Sequence, residues 1–307
     1  MTAVKKLIYI ILMPFFIVVS ISCTLLNSKI LTAEIVSSGK ISDRNLGEVS
    51  GIAVSRVNKG VLWVINDSGD SPIVYALNSK GTLLGKLNIK GVSNNDWEDL
   101  ASFENEGKPY ILIADVGDNF SKRSKCFLHV VEEPDLGEAQ GVFSLSVKPS
   151  WSITYTYEDG PRDCESVAFD EASGKILLLT KRDVPPVLYD LPLIKNKNAV
   201  AKKLTEIVPL PQRTDEIMDF SVNTSQPTGM DISADGLSAV VITYGNAFLY
   251  TKTASKNWSE AFRSSPEEII VPRMRQAESI CFGRDGSSIF LTSEQHPAPF
   301  YEIVLKK

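Results

Sequence analysis

The sequence predicts an all-β fold, a β-propeller of five four-stranded blades. Three observations predict it: a strand–turn–strand pattern returns five times, two more apolar runs follow it, and no stretch reads as a long amphipathic helix. The first run of each unit is SGIAVS from Ser50, EDLASF from Glu98, ESVAFD from Glu165, TGMDIS from Thr228 and ESICFG from Glu278. A turn rich in Gly, Asn and Asp follows each, as hairpins require.

The second runs are VLWVIND, YILIADVGD, ILLLTKRD, AVVITYG and SIFLTSE. The third runs carry aromatic or β-branched residues: PIVYAL, CFLHVV, PVLYDL, AFLYTK and PFYEIV. Fourth runs are less regular: TLLGKLNI, WSITYTY, KKLTEIVPL and EEIIVP. The fifth unit lacks a fourth run before Lys307, while Leu31 to Ser37 forms a spare strand. A propeller whose N-terminal strand completes its last blade uses both ends and leaves only short edges. The units start about 48, 67, 63 and 50 residues apart, which places insertions at Glu132–Phe143 and Pro211–Gln226. Six blades, with irregular strands hidden in an insertion, is the alternative count, and a β-sandwich is a weaker rival.

Residues 1–22 read as a signal peptide: Lys5 and Lys6 precede an apolar run from Leu7 to Ile21 that is interrupted by Pro14. That run falls short of the roughly 20 apolar residues of a membrane span. Small residues before Cys23 resemble a lipobox, so Cys23 is the expected lipidation site and residues 23–30 a linker from the anchor. The expected location is the bacterial cell envelope, at the outer membrane if the host has one, with the lipid as the only membrane contact. Residues 31–307 form the propeller domain. Loss of Lys5 and Lys6 takes the formal net charge from −5 to −7, which gives no electrostatic reason to hold nucleic acid. Cys126, Cys164 and Cys281 are too few for a disulfide framework and read as small buried hydrophobes. With only His129 and His296, a histidine-based zinc site is set aside.

The repeat also locates a site. In a hairpin, the start of strand one and the end of strand two lie at the same end, and in a propeller strand one lines the channel. Ser50, Glu98, Glu165, Thr228 and Glu278 should therefore meet, at one mouth, the residues closing the second strands: Asn66 and Asp67; Asp115, Asp118 and Asn119; Lys181 and Arg182; Thr243 and Tyr244; Ser293 and Glu294. Clustered carboxylates need a cation, a basic neighbour or raised pKa values. The oxygen-rich set favours Ca²⁺, with Mg²⁺ second, and no organic cofactor. Asp67, Glu98, Asp115, Asp118, Asn119, Glu165 and Glu278 are the candidate metal ligands. Arg162, Lys181, Arg182 and Tyr244 are candidates for substrate binding, and Glu98, Glu165 and Glu278 for catalysis. The alternative is that these carboxylates only cap backbone groups and form turns, for which NDSGD (Asn66–Asp70) and DVGDN (Asp115–Asn119) are well suited. The serine-hydrolase elbow GxSxG is absent, and His296 reads as a loop histidine.

NDSGD, Asp96-Trp97-Glu98-Asp99, DVGDN and Asp159-Gly160-Pro161-Arg162-Asp163-Cys164-Glu165 together resemble the DWED, DxGDN and DGxRDxE signatures of a widespread group of exported bacterial proteins. More distantly, the chain is similar in architecture to esterase-like phytase and lactonase-type propellers. That likeness implies an acidic, Ca²⁺-associated mouth. The expected function is that of a lipid-anchored, monomeric binding or scaffolding protein for a small molecule or an envelope protein. The alternative is a metal-dependent hydrolase, a phosphoesterase, esterase or lactonase of a small substrate.

Overall fold

The computed structural model describes residues 29–137, 141–195, 197–213 and 223–306. The expected signal peptide, Cys23, most of the linker and most of the Pro211–Gln226 insertion lie outside these residues. Two N-terminal strands, β1 (Ile30–Leu31) and β2 (Ala33–Ile41), precede the first unit. Unit one is β3 (Val49–Val54), β4 (Val61–Asn66), β5 (Ile73–Asn78) and β6 (Leu83–Ile89). Unit two is β7 (Trp97–Asn105), β8 (Lys108–Asp115), β9 (Cys126–Glu132) and, after β10 (Phe143–Val147), β11 (Trp151–Tyr157). Unit three is β12 (Cys164–Asp170), β13 (Lys175–Thr180), β14 (Val187–Pro192) and β15 (Asn198–Glu206). Unit four is β16 (Pro227–Ile232), β17 (Ser238–Thr243), β18 (Ala247–Thr251) and β19 (Glu267–Ile269), with the short helix α1 (Trp258–Phe262) before β19. Unit five is β20 (Ala277–Phe282), β21 (Ser288–Ser293) and β22 (Ala298–Leu305).

Within each unit consecutive strands pair antiparallel, and β2 pairs with β22 as the outer strand of unit five. Three parallel pairs are additions that the repeat does not announce. β11 pairs with β15 and joins the outer edges of units two and three into one eight-stranded sheet. The end of the expected Glu132–Phe143 insertion leads into β10, which lies against β6 of unit one. β1 lies against β19. Helix α1 was also not legible as a run; Asn257 and Glu260 close it with a reciprocal capping box. No helix among the described residues is long and apolar enough to cross a membrane.

The long apolar runs follow from how the units stack. Successive residues of a strand point to opposite faces, and here both faces are covered. In β13, Ile176 and Leu178 join a core shared with unit two, while Leu177 and Leu179 join a core shared with unit four. In β4, Trp63 and Ile65 pack toward unit two, and Leu62 and Val64 toward unit five. A further core joins unit four to unit five through Ile242, Leu249, Ile280 and Leu291. Each fully buried aliphatic side chain contributes about 1.5–3 kcal/mol to this stacking. Trp97 belongs to the core between units one and two and is 0% exposed.

The first strands pack side by side in a closed cycle: β3 on β7, β7 on β12, β12 on β16, β16 on β20, and β20 back on β3. The fold is all-β and propeller-like. Two contacts show how tightly the first strands approach. Asp99, fully buried, accepts amide N–H bonds from Leu100 (2.8 Å), from Val167 of unit three (2.8 Å) and from Met230 of unit four (3.2 Å). Gly51 faces the same backbone, and a Cβ there would lie 2.8 Å from Asp99 Cα. Gly51→Ala should therefore cost about 1–3 kcal/mol, the usual range for overpacking. Gly47→Ala, where an added Cβ meets nothing within 4 Å, should be close to neutral. Urea unfolding of the two variants checks the difference.

Candidate functional site: an acidic mouth

One irregularity recurs in every first strand. The pairing of strand one with strand two shifts register between Val49 and Gly51, Trp97 and Asp99, Cys164 and Ser166, Pro227 and Gly229, and Ala277 and Ser279. The skipped residues are Ser50, Glu98, Glu165, Thr228 and Glu278, the five strand-one starters. A bulge re-aims the side chain it carries. The two hydroxyl residues use this to seam neighbouring units: Ser50 Oγ donates to Trp97 O (2.9 Å) and Thr228 Oγ1 to Ala277 O (2.7 Å). The three glutamates are left at the mouth, buried but otherwise differently engaged.

Glu165 and Glu278 belong to one chain of contacts. Lys181, the residue after β13, is ion-paired with Glu165. Lys181 Nζ also donates to Tyr244 Oη (2.9 Å), and Tyr244 donates to Glu278 Oε1 (2.9 Å). Burial opposes the Lys181 charge, but Glu165 and Tyr244 outweigh it and hold the ammonium firmly protonated. Burial pushes Glu165 up to about 8, opposed by Lys181 and assisted by Glu278. Burial likewise takes Glu278 to about 7, against Lys181 and the Tyr244 hydrogen bond. Glu294, which closes β21 and accepts from Gln276, is pushed up to about 9 by burial and by Glu278 and Glu48.

Glu98 faces a second group. Ligand oxygens of Asp67, Asp96 and Glu98 all lie within 4.8 Å of one another. Burial drives the Glu98 carboxyl well above the usual range, and Glu165, Asp67 and Asp96 add to it. Burial and then Asp67 raise Asp96 to about 6, and burial raises Asp67. Gly117 closes the cradle: a Cβ there would sit 2.1 Å from Glu98 Oε1 and 2.6 Å from Asp96 Oδ2. Oxygens at about 2.3–2.6 Å from one Ca²⁺ ion stand up to about 5 Å apart. The three carboxylates fit a hard cation on both donor type and spacing.

Asp67 and Glu98 are thus brought together, and Asp96 joins them. Asp96 was not among the candidate ligands, although its signal was present. It stands two residues before a bulge glutamate, as Asp163 does before Glu165. The backbone confirms the equivalence, since Asp96 O accepts from Val116 N–H and Asp163 O from Lys181 N–H. The other candidates are engaged elsewhere. Asp115 pairs with Arg123 (2.6 Å) and accepts from Asn95 (2.6 Å). Asp118 accepts from the amides of Lys122 (2.8 Å) and Arg123 (2.7 Å), the work of a turn. Asn119 accepts from Arg182, whose Nε lies 2.6 Å from Asp163 Oδ2. Arg162 bonds Tyr189 (3.1 Å) and pairs with Asp159 (3.1 Å) and Asp183 (3.6 Å) on the outer rim. His296 is exposed on the loop after β21, and His129 is buried on β9 against Ser152 Oγ (2.8 Å).

Fold and site define a propeller-type all-β protein with an acidic mouth. No protein-family model and no curated protein sequence matches the chain. Among solved structures it is similar to the glutaminyl cyclase of Myxococcus xanthus, with a TM-score of 0.52 and 11% identity over 91% of this chain and 100% of that one. A chain from Bacteroides uniformis assigned as a 6-phosphogluconolactonase gives a TM-score of 0.36 and 12% identity over 80% of this chain and 64% of that one, too low to carry an argument. Both are propeller-type folds, and at these identities the likeness is one of fold alone.

The raised carboxyls fix a sign for pH. A carboxyl whose folded pKa is raised stabilises the fold below its unfolded value, near 4.5, and that stability is lost as pH rises through the folded value. For Glu278, Glu165 and Glu294 that window extends to about 7, 8 and 9. The melting temperature, measured by calorimetry without divalent ions, should fall steadily from pH 5.5 to pH 9. The Glu278→Gln and Glu294→Gln variants should flatten that fall.

Proposed function

We propose that this chain is a five-bladed propeller, exported and lipid-anchored at Cys23, whose mouth binds a cation as part of a binding or scaffolding role. The five interfacial cores and the closed cycle of first strands support the blade count. The observation that carries the binding role is the convergence of the Asp67, Asp96 and Glu98 oxygens within 4.8 Å, closed over by Gly117. Glu98 is buried and Asp67 and Asp96 are half-buried, and the three are mutually repulsive, so a bound Ca²⁺ relieves both the repulsion and the raised proton affinity. Water or a ligand oxygen fills the remaining coordination positions, because Ca²⁺ takes six to eight.

A second reading, a metal-dependent hydrolase, is favoured by one specific feature. Glu165 and Glu278, with pKa values near neutrality, stand linked through Lys181 and Tyr244 beside the proposed ion. Carboxyls of that kind suit general acid–base work on an ion-polarised substrate. One solved structure of similar fold is described as a glutaminyl cyclase, but fold likeness alone is a weak warrant for activity.

Ca²⁺ titration by calorimetry tests the main reading. Binding should be measurable at pH 7.5, should raise the melting temperature reversibly with EDTA, and should weaken at least tenfold in Glu98→Gln and Asp96→Asn. Gly117→Ala should have a similar effect by pushing the carboxylates apart. Unchanged melting in Ca²⁺ and EDTA sinks the cation site. Turnover of phosphoesters, esters or lactones that disappears in Glu165→Gln selects the enzyme reading instead.

A further inference from the structure

We propose that this chain binds an anionic sugar, a small polyol carrying a carboxylate or phosphate group, in a cavity between units three and four. The cavity measures about 400 Å³, within the range of small-molecule sites. It lies at the end of the strands away from the mouth, where β12 turns into β13 and β18 has just ended. The proposal is therefore independent of the cation reading.

Unit three supplies one wall, with Asp170, Ser173, Lys175 and Asp190. Unit four supplies the other, with Lys252, Lys256 and Trp258. That second wall comes from the excursion between β18 and β19 that carries α1, the one helix among the described residues. The excursion is docked on unit three: Ser259 Oγ donates to Leu204 O (3.3 Å) and Val208 N–H to Phe262 O (3.2 Å). Its capping box fixes where the helix starts. Both walls are thus held in place by contacts within the protein, which lowers the ordering cost of binding.

Hydrogen bonding asks for hydroxyls. Asp170 and Trp258 both line the cavity and are only 5% and 4% exposed. Asp170 Oδ1 and Trp258 Nε1 have no hydrogen-bond partner among the described residues, whereas buried polar atoms are nearly always paired. One is an acceptor and the other a donor, and a hydroxyl serves either. Charge asks for an anion. Lys175 is ion-paired with Asp190, and Asp170 Oδ2 accepts from Ser173 Oγ (2.6 Å). Glu260, the one acid of the excursion, accepts from Asn257 N–H (3.0 Å). Lys252 and Lys256 have no carboxylate partner among the described residues. Lys252 Nζ stands 4.9 Å from the Trp258 ring centroid, which places one free ammonium beside the unpaired indole N–H. A simple anion leaves Asp170 Oδ1 unpaired, and a neutral sugar leaves both lysines unpaired. A sugar with an anionic group answers both walls.

The test is calorimetry on the mature full chain with glucuronate, galacturonate and glucose 1-phosphate, against glucose and inorganic phosphate as controls. At least one of the three anionic sugars should bind with a Kd of about 1 mM or tighter, at least tenfold tighter than either control. Binding should shift the tryptophan emission, and Trp258→Phe, which keeps a ring but removes the N–H, should abolish that shift. The double variant Lys252→Gln/Lys256→Gln should lose at least tenfold in affinity for the anionic sugar while its Ca²⁺ titration stays unchanged. No binding of any of the three, glucose or phosphate binding as tightly as they do, or an unaffected lysine double variant overturns the proposal. Because the lysines are far along the chain from every mouth residue, failure here leaves the cation site standing, and failure of the Ca²⁺ titration leaves this cavity standing.

Discussion

Every unit of this protein has an apolar sheet with two faces to cover, so every unit needs a neighbour on each side. The alternation Ile176, Leu178 against Leu177, Leu179 within one strand shows the requirement at its smallest scale. A closed cycle of units meets it everywhere at once. The cycle also brings the first strands so close that backbone and small side chains set the spacing. Gly51 lies against the Asp99 backbone, and the Asp99 carboxylate collects amides from three different units. Burying that carboxylate raises its pKa despite the three hydrogen bonds.

The same closure explains why the mouth is electrostatically loaded. A bulge at one equivalent position in each first strand turns the starting side chain out of the ladder. Where that side chain is a hydroxyl, as at Ser50 and Thr228, it bonds the backbone of the next unit. Where it is a glutamate, it is buried with other carboxylates around it. Among the described residues only one of the three, Glu165, has a direct ion-pair partner, in Lys181, and Tyr244 bridges that ammonium to Glu278. Glu98 meets Asp67 and Asp96 instead. That unequal treatment separates a side of the mouth where two glutamates are linked through Lys181 and Tyr244 from a side where three carboxylates face one another.

Much of this was legible in the chain. The five strand-one starters, the strands themselves and the pairing of both chain ends in one sheet follow from repeated runs, because strand periodicity and turn chemistry are local. The cup's charge was legible as well, since hairpin geometry fixes which ends meet. The division of labour among the acids was not. Asp115, Asp118 and Asn119 look like ligands by composition, yet Arg123, backbone amides and Arg182 take them. Asp96 looks like a strand-flanking residue, yet it completes the three-carboxylate cluster. The parallel strand β10 and the helix α1 were also illegible, because each depends on a surface supplied by a distant part of the chain.

The sequence by itself determined the repeat, the strand order within each unit and the acidity of one end of the channel, all of which are properties of residues near one another along the chain. Only the tertiary structure decided which acids are linked through Lys181 and Tyr244, which face one another, and which are spent on turns. Those outcomes depend on distances between units and on how completely each carboxyl is removed from water, and neither is written in any single repeat.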